Sequence, residues 1–123
     1  MKLLIVDDSK MLRDMLSYAL NDGGYMDVDE AVDGLDGLVK AKSKQYDLVI
    51  SDVNMPNMDG ITFVGELRKL PQYSKTPILV LTTERSDEIK SKGKAAGATG
   101  WIVKPFVPDQ LLKAVNIVLT KGA

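Results

Sequence analysis

Three carboxylates, a hydroxyl pair and an amine each stand at the end of a short apolar run. Asp7 and Asp8 follow the run at 3–6, and Asp52 follows 48–50 after Ser51. Thr82, Thr83 and Glu84 follow 78–81, and Lys104, then Pro105, follows 101–103. Carboxylates gathered in one place repel one another, at a cost in stability unless a cation or protons offset it. A hard divalent cation takes such oxygen ligands, and an amine and a hydroxyl beside it suit an anion. The chain has no His and no Cys. That removes imidazole bases, thiolate nucleophiles, imidazole and thiolate metal sites, and disulfides.

Taken singly, each residue has a plainer reading. Asp8 alone is a helix cap, since caps favour Asp. Asp7 resists that reading, because one helix has one cap. Thr82 alone is a turn hydroxyl, and Lys104 alone a solvated amine. The combination is what points to a site.

The elements that must position these residues follow from periodicity. The runs at 3–6, 48–50, 78–81 and 101–103 are short, rich in branched residues and do not alternate. They read as strands covered on both faces. A weaker candidate at 26–32 mixes Val28, Ala31 and Val32 with acids, as a strand near a sheet edge does. Between them, Met11, Leu12, Met15, Leu16, Ala19 and Leu20 recur at helical spacing, with Ser9 or Asp8 to cap and Gly23-Gly24 to stop. Further helices fit 34–44, despite Gly37, and 61–70, 86–96 and 108–119, with Pro108 in the last one's first turn. Residues 120–123 read as a frayed tail. Strands alternating with helices give an α/β fold with a parallel sheet and helices on both faces. In such a sheet the reactive rim lies beyond the carboxyl ends of the strands.

The chain has 123 residues, 45% apolar and 27% charged, which is one globular domain's worth. The net charge of −1 hides a division: residues 1–62 carry 12 acids and 6 bases, residues 63–123 carry 5 and 10. No basic stripe points to nucleic acid. The apolar start is cut off by Asp7, too early for a signal peptide or membrane span. A cytoplasmic protein that binds neither nucleic acid nor membrane is expected.

Asp7-Asp8, Asp52, Thr82 and Lys104-Pro105-Phe106, together with residues 52–60 (DVNMPNMDG), resemble the signature of the response-regulator receiver domain, and the chemotaxis branch of that family most. The likeness spans the chain. It implies a doubly wound, flavodoxin-like five-stranded parallel sheet in the order 2-1-3-4-5, with five helices. It makes residues 1–123 a single receiver domain without an output domain, expected as a monomer. It casts Asp52 as acceptor of a phosphoryl group, with Lys104 and Thr82 assisting. It also implies Mg2+, or Mn2+ in its place, bound by Asp8, Asp52 and the Asn54 backbone carbonyl, with Asp7 acting through a water. Further implications are a cis Lys104–Pro105 bond, a switch coupling Thr82 to Trp101, and tuning of phosphoryl loss by Asn54 and Glu84. Trp101 stands where the family uses Tyr or Phe, and a half-buried packing residue is an equal reading.

The resemblance makes the protein a signalling phosphoacceptor rather than an enzyme, its chemistry confined to its own phosphorylation and dephosphorylation. A histidine kinase would be the donor and a downstream protein, such as the flagellar motor switch, the target. The basic segment of Arg85, Lys90, Lys92 and Lys94 reads as a solvated face or as a docking surface for an acidic or amphipathic partner. Alternatives are a phosphorelay carrier, an adaptor that works without phosphorylation, and a metal-dependent aspartyl-phosphate phosphatase. The phosphatase pattern would want Asp where Asn54 stands. A flavin binder lacks its phosphate loop after the first strand.

Overall fold

The structure is a computed structural model and describes residues 1–83 and 87–121. The strands are β1 (Lys2–Val6), β2 (Asp27–Ala31), β3 (Leu48–Asp52), β4 (Ile78–Thr82) and β5 (Gly100–Val103). The helices are α1 (Lys10–Asp22), α2 (Gly34–Ser43), α3 (Gly60–Arg68), α4 (Asp87–Ala96) and α5 (Pro108–Lys121). All strand pairs are parallel, in the order β2-β1-β3-β4-β5. The α/β class expected from the sequence pattern and the strand order implied by the family resemblance are the ones found. The acidic strand β2 lies at an edge, where its Asp29 accepts from the Tyr46 hydroxyl at 2.7 Å. That hydrogen bond holds the Asp29 carboxyl below the usual aspartate range.

Non-alternating strands make sense once both faces are covered. Leu4, Val6, Val49, Ile78 and Val80 point to a core shared with Phe63, Val64 and Leu67 of α3. Leu3, Ile5, Leu48, Ile50, Leu79 and Leu81 point the other way, onto Leu16 and Leu20 of α1 and Leu111 and Val115 of α5. Successive strand residues face opposite sides, so each side needs its own helix layer. Among the described residues no helix is long and apolar enough to cross a membrane.

Several helical details differ from expectation. In α1 the buried stripe is Leu16, Ala19 and Leu20, while Met11 and Met15 lie exposed. Met15 borders a groove with Tyr18, Phe106 and Pro108. In α5, Ile117 is likewise exposed. Helix α3 ends at Arg68, because the amides of Lys69 and Leu70 tighten to three-residue spacing and Pro71 holds Leu70 extended. Helix α5 continues to Lys121, so the tail does not fray at Thr120, whose hydroxyl donates to the Asn116 carbonyl at 2.7 Å. Gly37 sits inside α2 because a Cβ there would stand 2.9 Å from the Phe63 ring and 3.1 Å from Val6. The start expected for α4 at Ser86 lies outside the described residues.

Candidate phosphoacceptor and cation site

The carboxyl ends of β1, β3, β4 and β5 meet at one rim. Asp7 and Asp8 leave β1, Asp52 closes β3, Thr82 closes β4, and Lys104 follows β5. Asp7, Asp52 and Thr82 are buried, whereas Asp8 is exposed. One carboxylate oxygen from each of Asp7, Asp8 and Asp52 can be chosen so that all three lie within 4.8 Å of one another. The choice left open for capping is settled by Ser9, whose hydroxyl accepts the Leu12 amide at 3.3 Å. Neither acid is therefore absorbed as the cap of α1.

Lys104 ties the site together. Its Nζ donates to Asp52 Oδ1 at 2.7 Å and stands 3.8 Å from Asp7 Oδ2. Asp52 Oδ1 also accepts the Val53 amide at 2.9 Å, which fixes the carboxylate plane against the strand end. The Lys104–Pro105 bond is cis, and the Lys104 amide donates to the Thr82 carbonyl at 2.8 Å. That last bond extends the β4–β5 ladder to the rim and joins the hydroxyl-bearing residue to the amine-bearing one.

Asp7 is the electrostatic weak point. Its Oδ1 accepts the Ser9 amide at 2.8 Å, but its buried Oδ2 has no hydrogen-bond partner among the described residues. Burial, and then the nearby Asp52 and Asp8 charges, raise the Asp7 carboxyl above the usual aspartate range, against the lowering effect of the Ser9 amide and Lys104. A buried acceptor left unpaired in an anionic pocket is what a hard cation relieves. The donor set is all oxygen, with two carboxylates beside the rim and an exposed third, so the residues fit magnesium.

Trp101 is half-buried and packs against the core that the sheet shares with α3. A Cβ on Gly93 would stand 2.2 Å from the indole Cζ3, so only a glycine leaves the ring its seat. Trp101 Nε1 is buried and finds no hydrogen-bond partner among the described residues. Of the basic segment, Lys92 pairs with Glu88 at 3.3 Å, while Lys90 and Lys94 line a groove with Trp101. Asn54 is exposed in the loop after β3. Glu84 and Arg85 lie outside the described residues.

Sequence reasoning passed over Gly60. A Cβ there would stand 1.9 Å from the Asp52 carbonyl oxygen, so α3 starts flat against the strand end that carries the acceptor. In the sequence it closes the motif at 52–60, with no role of its own assigned, one residue before the expected start of α3.

The response regulator receiver domain model matches residues 3–116. The chemotaxis protein CheY-3 of Vibrio cholerae is 35% identical over 98% of this chain and 93% of its own length. The chemotaxis protein CheY1 of Helicobacter pylori is 36% identical over 97% of each chain. The solved structure of CheY4 from Vibrio cholerae superposes with a TM-score of 0.91 at 54% identity, covering 95% of this chain and 97% of that one. The doubly wound sheet, the acidic rim and these matches lead to one conclusion: this chain belongs to the response regulator receiver domain family.

Proposed function

We propose that the protein is a cytoplasmic chemotaxis regulator that takes a phosphoryl group from a histidine kinase onto Asp52 and then changes its affinity for a downstream protein. The observation that carries this reading is a buried Asp52 held at 2.7 Å by Lys104 beside two further carboxylates. Asp52 attacks phosphorus, a P–O bond forms as the donor's P–N bond breaks, and the imidazole leaves with its electron pair. Asp8, Asp52 and the Asn54 carbonyl would hold magnesium, with Asp7 acting through a water, and the bound cation would offset the charge of the incoming oxygens. Lys104 supplies fixed positive charge where negative charge develops. The Thr82 hydroxyl donates to the phosphoryl group once it has arrived. Asn54 and Glu84, two residues beyond Asp52 and Thr82, set how readily water removes it.

The readout is a population shift between two arrangements of the β4–α4 region, with Trp101 as its aromatic reporter. The groove of Lys90, Lys94 and Trp101 is the partner surface, with Lys92 on the same helix, and suits an acidic or amphipathic segment. The chemotaxis assignment follows the names of the relatives at 35% and 36% identity, and the flagellar motor switch is the target it points to.

Incubation with magnesium and a small acyl phosphate, followed by intact mass measurement, tests the reading. One added phosphoryl group per chain is expected, and Asp52→Asn should remove it entirely. No adduct on the parent protein, or an undiminished adduct on the variant, overturns the assignment. Rapid turnover of unrelated phosphate esters would instead make it a phosphatase.

A further inference from the structure

The loop after β3 is fastened at its far end to another helix. Asn57 has a left-handed backbone, φ 69°, which Asn tolerates better than most residues. Its side-chain amide donates to Asp33 Oδ2 at 2.9 Å. Asp33 is the cap of α2, and its other oxygen accepts the Asp36 amide at 2.8 Å. Both oxygens are thus engaged, and these two hydrogen bonds, the Asp36 amide first, hold the Asp33 carboxyl below its ordinary range. The next residue adds an apolar contact. A Cβ on Gly34 would stand 2.9 Å from Met58 Cβ and 3.0 Å from its Sδ, so Gly34 is the notch that admits Met58.

The near end of the loop is fixed as well. The Gly60 amide donates to the Val53 carbonyl at 2.7 Å, and the Asp59 carboxylate caps α3 by accepting the Thr62 amide at 2.9 Å. The stretch between these anchors contains the exposed Asn54 and, beside it, Met55, which is partly buried against the core. A segment held only at Val53, Met55 and Gly60 would leave the peptide plane that carries the Asn54 carbonyl free to turn on the scale that matters for a cation. Small hard cations demand near-ideal ligand placement, and the groups that orient ligands count almost as much as the ligands.

We propose that Asp33 and Asn57 are positioning residues: their hydrogen bond, backed by Met58 in the Gly34 notch, holds the 53–59 loop so that the Asn54 carbonyl is preset for the divalent cation. This rests on the reading of the acidic rim as a magnesium site. The clasp couples the N-terminus of α2 to cation uptake, although neither of its residues belongs to the rim.

Calorimetric titration with Mg2+ separates the possibilities. Asn57→Gly keeps the left-handed backbone accessible and deletes the amide, and should weaken Mg2+ binding by about 10-fold. Asn57→Asp replaces the donor with a second carboxylate facing Asp33 and should weaken it further. The double variant Asp33→Asn with Asn57→Asp restores a donor and an acceptor across the same gap, and should recover most of the lost affinity. Saturating Mg2+ should return Asn57→Gly to the parent's rate of phosphoryl uptake, because only affinity is changed. A general loss of packing would lower that rate at every Mg2+ concentration and would not be rescued by the reversed pair. Parent-like affinity in both single variants overturns the clasp. Absence of Mg2+ uptake by the parent protein overturns the site reading, and the clasp with it.

Discussion

Gly60→Ala is expected to destabilise the protein by about 3 kcal/mol or more, the upper end of what overpacking costs. The added methyl would meet the Asp52 carbonyl oxygen at 1.9 Å, with the Asp52 carbon and Val53 Cα at 2.8 Å. All three are backbone atoms, so no rotamer change can relieve the clash. The relief must come from moving the start of α3 away from β3, which also breaks the 2.7 Å bond from the Gly60 amide to the Val53 carbonyl. Asp52 moves with its backbone. A displacement of 1 Å at a reacting group costs about 100-fold in rate, so phosphoryl uptake should fall by about that much in whatever protein remains folded. Gly65→Ala in the same helix is the matched control. Among the described residues no atom beyond its own stretch of helix lies within 4 Å of a Cβ there, and it should be neutral or stabilising by about 0.5–1 kcal/mol. Chemical denaturation of both variants decides the matter, and equal stabilities would refute the close-approach argument.

Asp7→Asn should act in the opposite direction on stability. In cation-free buffer at neutral pH, the variant is expected to be more stable by about 1–3 kcal/mol, the range for a buried polar group left unpaired. The folded-state carboxyl is raised, chiefly by burial and then by Asp52 and Asp8. A group with a raised folded value binds its proton more tightly in the folded chain. The penalty is therefore absent below the ordinary aspartate range, grows as pH rises through it, and is complete above the raised value. The cation-free parent should lose stability over that interval as pH rises, while Asp7→Asn should lose less. Saturating Mg2+ should stabilise the parent and narrow the gap between the two proteins. Thermal unfolding with EDTA and with Mg2+, across pH, measures all of this. A variant less stable than the parent in EDTA at neutral pH would show that Asp7 is not a strained site.

Asp7, Asp8, Asp52, Thr82 and Lys104 were legible because each terminates an apolar run, and a strand's end is marked by where hydrophobicity stops. Gly60, Gly93 and Asn57 were not legible as functional. Each owes its importance to an atom distant in sequence: the Asp52 carbonyl, the Trp101 ring and the Asp33 carboxylate. Glycine in a helix reads as weakness in one dimension, because the neighbour it admits is invisible there. The exposed side chains of Met11 and Met15 teach the same lesson, since helical spacing finds an apolar face without saying how much of it the sheet covers.

The alternation of strands and helices, the two-sided burial of the sheet and the identity of the rim residues are written along the chain, because hydrophobic periodicity and strand termination are local properties. Packing in three dimensions was needed to show that Ser9 rather than Asp8 caps α1, that Asp7 Oδ2 finds no hydrogen-bond partner among the described residues, and that Lys104 reaches both Asp52 and Asp7. These depend on distances between elements far apart in the chain, and such distances are fixed by how the layers pack.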